Sequence, residues 1–136
     1  MGIEVKITSN RELIEQASTE AIQRALEAIG LQAEGYAKML CPVDTGNLRN
    51  SISHTVNEDK AIIGTNVEYA AYVEFGTGKF AQDGKGRATP WSYQDEDGNW
   101  HTTSGAKPQP YLQPAVYNHT DEYREIAEHY LKENDL

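Results

Sequence analysis

The sequence has almost no cysteine and no long apolar run, and each shortage removes a class of protein. Its 136 residues include one cysteine, Cys41, so neither an internal disulfide nor a cysteine-based zinc site is expected. The first ten residues, MGIEVKITSN, contain no apolar core of signal-peptide length. No segment approaches the ~18 apolar residues of a membrane-spanning helix. We therefore expect one domain over residues 1–136, outside the membrane and in the cytoplasm.

Positive charge is also scarce. Lys and Arg number 12 against 21 Asp and Glu, which gives a net charge of −9, and both halves of the chain share the acidic excess. Proteins that hold DNA neutralise its phosphates with clustered Lys and Arg. The one local cluster, Lys79, Lys85 and Arg87, is small and contains Asp83. The composition therefore argues against a protein that grips DNA.

The amino-terminal part of the chain predicts a short strand followed by one long helix. Apolar residues alternate over 3–7, as in a strand. Ser9 and Glu12 have the spacing of a helix-capping box, and apolar residues then recur at steps of three and four over 13–40. Pro42 ends the pattern. Two glycines inside it predict a bend or a close approach by another backbone: Gly30 and Gly35.

The centre of the chain predicts a hairpin and then a short helix. Residues 51–56 and 61–65 read as two strands joined by a turn at 57–60. Residues 67–75 fit both helical and strand spacing, and we favour a short helix that ends at Gly76-Thr77-Gly78. A hydrophilic connection of this length, 79–109, is unusual in so small a domain and is typically functional or ordered by a partner.

The long connection, residues 79–109, predicts a mobile loop followed by a second hairpin. Asp95-Glu96-Asp97-Gly98 is a strong turn signal between alternating aromatic residues. Aromatic side chains dominate protein interfaces, so the candidate interface residues are Trp91, Tyr93 and Trp100. A final helix is expected from Leu112, with Pro114 tolerated in its first turn.

Motifs for cofactors and metals are weak. Gly76-Thr77-Gly78 is not a dinucleotide-binding fingerprint, because Ala81 occupies the place of the third glycine. The sequence has four histidines: His54, His101, His119 and His129. No two of them have the spacing of a helical metal site, and His119 and His129, both expected on the last helix, are too far apart to bind one ion. We expect no cofactor and no metal.

Candidate catalytic groups are equally weak, and we expect no enzymatic activity. Cys41 follows a helix and precedes proline, where the helix dipole raises a thiol pKa, so a buried inert thiol is favoured. The carboxylates of 95–97 lie in a turn and read as solvated charge. Two alternatives stay open: a small hydrolase using His101 or a carboxylate of the long loop, and a nucleic-acid-binding accessory protein.

One possible ion pair joins two of the turns. Arg49 and Glu74 each lie beside a turn and among apolar neighbours. They form either an ion pair between the Thr45-Gly46 turn and the segment ending at Gly76, or two independent surface charges. A double-mutant cycle separates these readings.

Three segments, taken in order, resemble a known family. They are Pro42-Val43-Asp44-Thr45-Gly46-Asn47-Leu48-Arg49-Asn50-Ser51-Ile52, Tyr69-Ala70-Ala71-Tyr72-Val73-Glu74-Phe75-Gly76-Thr77-Gly78 and Pro110-Tyr111-Leu112-Gln113-Pro114-Ala115. Over about residues 10–131, the chain resembles the small tail-component family of long-tailed bacteriophages and prophages, the head–tail joining or tail completion proteins.

The resemblance implies an α+β fold in which a long amino-terminal helix and a carboxyl-terminal helix pack on a small, mainly antiparallel sheet. It implies a structural subunit that forms a ring of six with itself. The ring would contact the tail tube or tail terminator and the neck proteins, in the host cytoplasm during assembly and then in the virion. DNA would pass through it without specific binding, which an acidic surface favours. Its structural signature would be Pro42, Asp44, Thr45, Gly46, Leu48, Arg49, Ser51, Tyr69, Glu74, Phe75, Gly76, Thr77, Gly78, Pro110, Leu112, Pro114 and Ala115.

Overall fold

A computed structural model describes residues 1–6, 15–43 and 46–133 of the chain. The predicted capping box of Ser9 and Glu12 and the turn residues Asp44 and Thr45 lie outside this described part. The chain divides into two units, Met1–Asn66 with Tyr111–Leu136, and Val67–Pro110. Each unit is described separately below.

The first unit contains a three-stranded antiparallel sheet. Its strands are β1 (Gly2–Lys6), β2 (Ser53–Asn57) and β3 (Lys60–Gly64), in the order β1-β3-β2. The predicted amino-terminal strand and the predicted first hairpin are therefore confirmed. In the central strand β3, Ala61 and Ile63 are fully buried and Ile62 between them is half-buried, which is the period-two burial of a strand that packs one face on the core.

The long helix α1 spans Thr19–Leu40. The prediction of one unbroken helix ending at Leu40 is wrong at Ser18, where the backbone is extended, and its predicted start at Ser9 lies outside the described residues. The Ser18 side chain accepts a hydrogen bond from the Ala21 amide at 3.1 Å, which satisfies a donor that would otherwise have no partner. The predicted end of the helix is confirmed, since Cys41 is its C-cap residue and Pro42 follows.

Three further helices whose bounds lie within the described residues belong to the first unit: α2 (Asn47–Ser51), α4 (Leu112–Tyr117) and α5 (Thr120–Glu133). The prediction of one continuous final helix is wrong, because a turn at Asn118 and His119 separates α4 from α5. Three successive residues of low helix propensity, Asn118, His119 and Thr120, explain the break. As a consequence, His119 and His129 do not share a helix.

The core of the first unit lies where α1 contacts β2, β3, α4 and α5. Small side chains on α1 allow these close contacts, since Ala25, Ala33 and Ala37 have no exposed surface. The larger fully buried side chains around them are Leu26, Ile29, Ile52, Ile63, Tyr111, Leu112 and Leu131. The α+β class is confirmed. Within the described residues, no helix is both long and apolar enough to cross a membrane.

The second unit contains α3 (Ala70–Phe75), a 3-10 turn (Gly78–Phe80) and a hairpin of β4 (Trp91–Gln94) and β5 (Trp100–Thr103). The predicted short helix and second hairpin are both confirmed. The loop between them is held by backbone hydrogen bonds, from the Lys79 amide to the Ser104 carbonyl at 3.0 Å and from the Gln82 amide to the Phe75 carbonyl at 2.9 Å. These bonds join the start of the long connection to the residue that follows β5 and to the end of α3.

Candidate assembly surfaces

The first signature segment forms a supporting turn in the first unit. Gly46 has a φ of 83°, which favours glycine, and Leu48 is buried. The Ser51 hydroxyl donates to the Leu48 carbonyl at 2.6 Å and is also hydrogen-bonded to the Thr65 hydroxyl. Pro42 is half-buried and Arg49 is exposed. The described part of this segment thus fixes α2 against the end of β3.

The third signature segment supplies core residues of the first unit. Tyr111, Leu112 and Ala115 have no exposed surface, and Pro114 is half-buried within the first turn of α4. Proline is tolerated at this point because the first turn of a helix has no internal partner for its amides. Pro110, the last residue of the second unit, is exposed.

The second signature segment lies in the second unit. Glu74 has no exposed surface, whereas Tyr69 is exposed. Thr77 is bonded twice to Ala106: its amide donates to the Ala106 carbonyl at 2.9 Å, and its hydroxyl accepts from the Ala106 amide at 2.8 Å. Since Arg49 belongs to the first unit and Glu74 to the second, their pairing stays a prediction.

A histidine clamp, which the sequence reasoning missed, joins β2 to α1. His54 Nε2 lies 2.6 Å from Glu27 Oε1, and His54 Nδ1 lies 3.0 Å from Glu34 Oε1. Between the two carboxylates the imidazole lies against Gly30, where a Cβ would be 2.7 Å from His54 Cδ2. The close contact expected at Gly30 therefore comes from a side chain rather than a backbone. With both ring nitrogens facing carboxylates, the arrangement suits an imidazolium.

The clamp shifts the titration of both partners. Burial lowers the pKa of His54, but the hydrogen bonds that the imidazole makes to the carboxylates of Glu27 and Glu34 outweigh it, and the net shift is upward. Burial raises the pKa of Glu34, but its bonds to His54 and Lys38 outweigh that effect, and the net shift is downward. Each shift favours the charged form, so the clamp is an ionic contact between the sheet and the helix.

We predict that the clamp stabilises the first unit most in mildly acidic solution. Because the folded-state pKa of His54 is raised, its contribution is complete below the unfolded value of about 6.5 and is lost as the pH rises through the folded value. The pKa of Glu34 is lowered, so its contribution is complete above the ordinary value of 4.5 and is lost as the pH falls through the folded value. Denaturant unfolding of wild type and His54→Gln should therefore differ most near pH 5.5 and converge toward pH 9.

The exposed residue His129 offers a matched control for this comparison. His129→Gln removes an imidazole outside the clamp and should not reproduce the loss that His54→Gln causes near pH 5.5. A difference between wild type and His54→Gln that stays constant from pH 5 to pH 9 would show that the imidazolium form is not what stabilises the contact.

The predicted interface residues lie on the second hairpin but not on one face of it. Tyr93 pairs with His101 across the ladder, and Gln94 pairs with Trp100. Directly paired residues project to the same face and neighbours along a strand to opposite faces. Trp91 and Tyr93 therefore share a face, and Trp100 lies on the other. Trp100 is 70% exposed and Tyr93 is 47% exposed, whereas Trp91 is half-buried.

The carboxylate of Asp95 forms hydrogen bonds within the hairpin turn. The expectation that the carboxylates of 95–97 are only solvated charge is therefore wrong for Asp95. One oxygen accepts from the amides of Asp97 and Asn99, and the other lies 2.6 Å from His101 Nε2. The His101 contact, followed by the Asn99 amide bond, lowers the pKa of Asp95. The Asp95–His101 pair therefore has a local structural role.

The same pair bears on the hydrolase alternative. A hydrolase that used His101 as a base would need a hydroxyl or a positioned water at its other ring nitrogen. On the hairpin, the hydroxyls of Ser92 and Thr102 lie on the opposite face from His101 and bond each other at 3.1 Å. Ser92 and Thr102 are therefore not placed to act as nucleophiles for His101, and the Thr103 hydroxyl, on the same face as His101, is hydrogen-bonded to the Gly105 backbone.

Other titratable groups of the first unit also have structural partners. His119 stacks on Tyr36 with ring centroids 3.6 Å apart, and the Tyr36 hydroxyl donates to Glu122 at 2.6 Å. Cys41 is buried, as expected. Among the residues with described positions, no group of three or more His, Cys, Asp or Glu side chains could hold a metal ion.

The match to known proteins covers the segments that carry the first two signatures. Residues 6–76 match the family model described as "Bacteriophage HK97-gp10, putative tail-component", which is just over half of the 136-residue chain. The third signature and the second hairpin lie beyond the matched residues. No curated protein and no solved structure gives a significant match. The chain therefore belongs to the HK97-gp10 family of bacteriophage tail components.

Proposed function

We propose that this protein is the subunit of a ring that completes the phage tail and joins it to the neck beneath the DNA-filled head. The observation that carries the proposal is the tail-component match over residues 6–76, which places the chain among structural proteins of the virion. Ring formation, the six-fold number and the position at the head–tail junction go beyond that match.

The exposed hairpin supports a role in assembly. Trp100 and Tyr93 present large aromatic surfaces to solvent in a two-stranded hairpin. Such side chains are enriched at the centres of interfaces, where they lose their exposure on binding. Single exposed apolar residues are normal on protein surfaces, so exposure alone does not identify a contact. The hairpin is a candidate contact because the exposed residues are large aromatic ones.

The charge of the chain supports a passage for DNA rather than a DNA-binding site. With a net charge of −9, the average surface repels phosphate. A ring whose inner wall is acidic would let DNA slide without holding it. A basic inner wall in an assembled ring would contradict this part of the proposal.

Removal of the gene from the phage or prophage tests the function directly. We expect heads filled with DNA and tails, or tail parts, that fail to join, with infectivity restored by the wild-type gene in trans. Joined and infectious particles in the absence of the gene would show that the chain is not needed to connect head and tail.

The contribution of the hairpin can be tested in the same complementation. Trp100→Ala should reduce the yield of joined particles while leaving the unfolding free energy of the purified protein nearly unchanged, because the side chain is 70% exposed. Tyr117→Ala is the matched control, since this aromatic residue is 62% exposed on α4 of the first unit. Equal yields from the two variants would remove the hairpin from the proposed contact.

A further inference from the structure

The second unit carries a basic patch in an otherwise acidic chain. The second unit holds 4 of the 12 Lys and Arg residues and 6 of the 21 Asp and Glu residues, so it is acidic overall and the patch is a local feature. Three of its acidic residues fall in the hairpin turn at 95–97, whereas Asp83 lies among the loops that carry the cations and accepts a hydrogen bond from the Lys85 amide at 2.8 Å. The basic patch is defined as the four exposed cations of these loops with their two aromatic partners: Lys79, Lys85, Arg87, Lys107, Phe80 and Trp91.

Aromatic rings position three of the four cations. The ammonium of Lys79 lies 5.0 Å from the centre of the Phe80 ring, and that of Lys107 lies 5.9 Å from the same centre. The Arg87 guanidinium lies 5.7 Å from the Trp91 ring. Cation–π contacts of this kind restrict long side chains while leaving their charge accessible. The side chains of the patch then lose less conformational entropy when a partner binds.

Close backbone packing brings these cations together from distant positions in the chain. A Cβ at Gly86 would overlap the Gly78 carbonyl, and a Cβ at Gly105 would overlap the Thr77 carbonyl. Segments 77–79, 84–87 and 104–107 therefore meet backbone to backbone, and each carries at least one cation of the basic patch. The patch is a product of the fold rather than of the local sequence alone.

The first unit presents a surface of opposite charge on helix α5. Asp121, Glu125 and Glu128 recur at steps of four and three and so lie on one side of the helix. The Asp121 side chain is 91% exposed and Glu125 is exposed. Arg124 and Lys132 neutralise this side only in part, through contacts of 3.3 Å to Asp121 and 3.9 Å to Glu128.

We propose that the basic patch of one subunit docks on the acidic side of helix α5 of a second copy. Two different surfaces on one chain that complement each other form a head-to-tail contact, and such a contact generates a ring when the rotation between successive copies closes. Opposite charges steer the encounter and fix its register. This inference rests on the proposed ring and names the surfaces that would form its repeated contact. Nucleic acid is the competing occupant of a basic patch with aromatic residues.

A charge-swap experiment on the full chain tests the contact. Self-association is measured by sedimentation velocity over a concentration series for wild type, Lys79→Glu with Lys107→Glu, Asp121→Lys with Glu125→Lys, and all four changes together. Each half-reversal should weaken association by about tenfold or more, and the combined variant should recover it. Lys6→Glu with Arg24→Glu is the matched control for the Lys79 and Lys107 reversal, because it lowers the net charge by the same amount at exposed sites of the first unit.

Every other outcome overturns the inference. It is wrong if the half-reversals associate like wild type, if the combined variant fails to recover, or if wild type stays monomeric at all concentrations. It is also wrong if Lys79→Glu with Lys107→Glu abolishes salt-sensitive binding of a DNA duplex and leaves association intact. None of these results alters the outcome of the gene-removal test, so failure of the contact and failure of the proposed function are distinguishable.

Discussion

Gly105→Ala is expected to lower the stability of the second unit by about 2–6 kcal/mol. Gly105 has a φ of 116°, a conformation that costs an L-residue about 1–3 kcal/mol. The new Cβ would also overlap the Thr77 carbonyl, and relieving such overpacking typically costs a further ~1–3 kcal/mol. Both tryptophans, Trp91 and Trp100, belong to the second unit, so denaturant unfolding followed by tryptophan fluorescence reports on this unit selectively.

Gly84→Ala is the matched control for this substitution. Gly84 has a φ of 71° but no atom within 4 Å of an added Cβ, so only the backbone strain of about 1–2 kcal/mol applies. If Gly105→Ala and Gly84→Ala shift the fluorescence midpoint equally, the backbone contact at Gly105 does not hold the loops together. The basic patch would then lose its structural support.

Gly30→Ala is expected to destabilise the first unit by about 2–4 kcal/mol. Alanine is favoured over glycine inside a helix by ~1 kcal/mol. At this position, however, its Cβ would be 2.7 Å from His54 Cδ2. The imidazole must then leave one or both carboxylates, and hydrogen bonds to charged groups contribute about 1.5–3 kcal/mol each. Far-UV circular dichroism during denaturant unfolding measures the loss.

A second glycine and a double variant show whether His54 is the cause. Gly35 lies on the same helix with nothing within 4 Å of an added Cβ, so Gly35→Ala should stabilise by about 0.5–1 kcal/mol. In a His54→Ala background, Gly30→Ala should also become stabilising, because the imidazole no longer occupies the site. If Gly30→Ala alone raises the unfolding free energy as Gly35→Ala does, the imidazole of His54 does not pack against Gly30.

Local patterns predict those parts of the fold that depend on neighbouring residues. Period-two alternation predicts the first hairpin, the Asp95–Gly98 turn predicts the second, and Pro42 predicts the end of α1. The same patterns misplace two breaks. Ala17 fits the apolar stripe even though Ser18 caps the helix after it, and the final helix is interrupted although its apolar stripe continues beyond the turn.

Contacts between distant segments are what the sequence does not predict. Glu27, Gly30 and Glu34 do carry a signal, because steps of three and four place two carboxylates on one side of a helix with a gap between them. Nothing local says that His54, on a strand 20 residues after Glu34, fills that gap. The contact of Gly86 with the Gly78 carbonyl is equally hidden, since both glycines read as ordinary loop residues.

We propose that this member of the family is a ring subunit at the junction of tail and head. Electron microscopy of purified virions, with a label fused to the protein and infectivity verified, tests it most directly. The account predicts label density only where the tail tube meets the neck, with several copies in each particle. Virions that lack the protein, or that carry it elsewhere along the tail, would contradict the account.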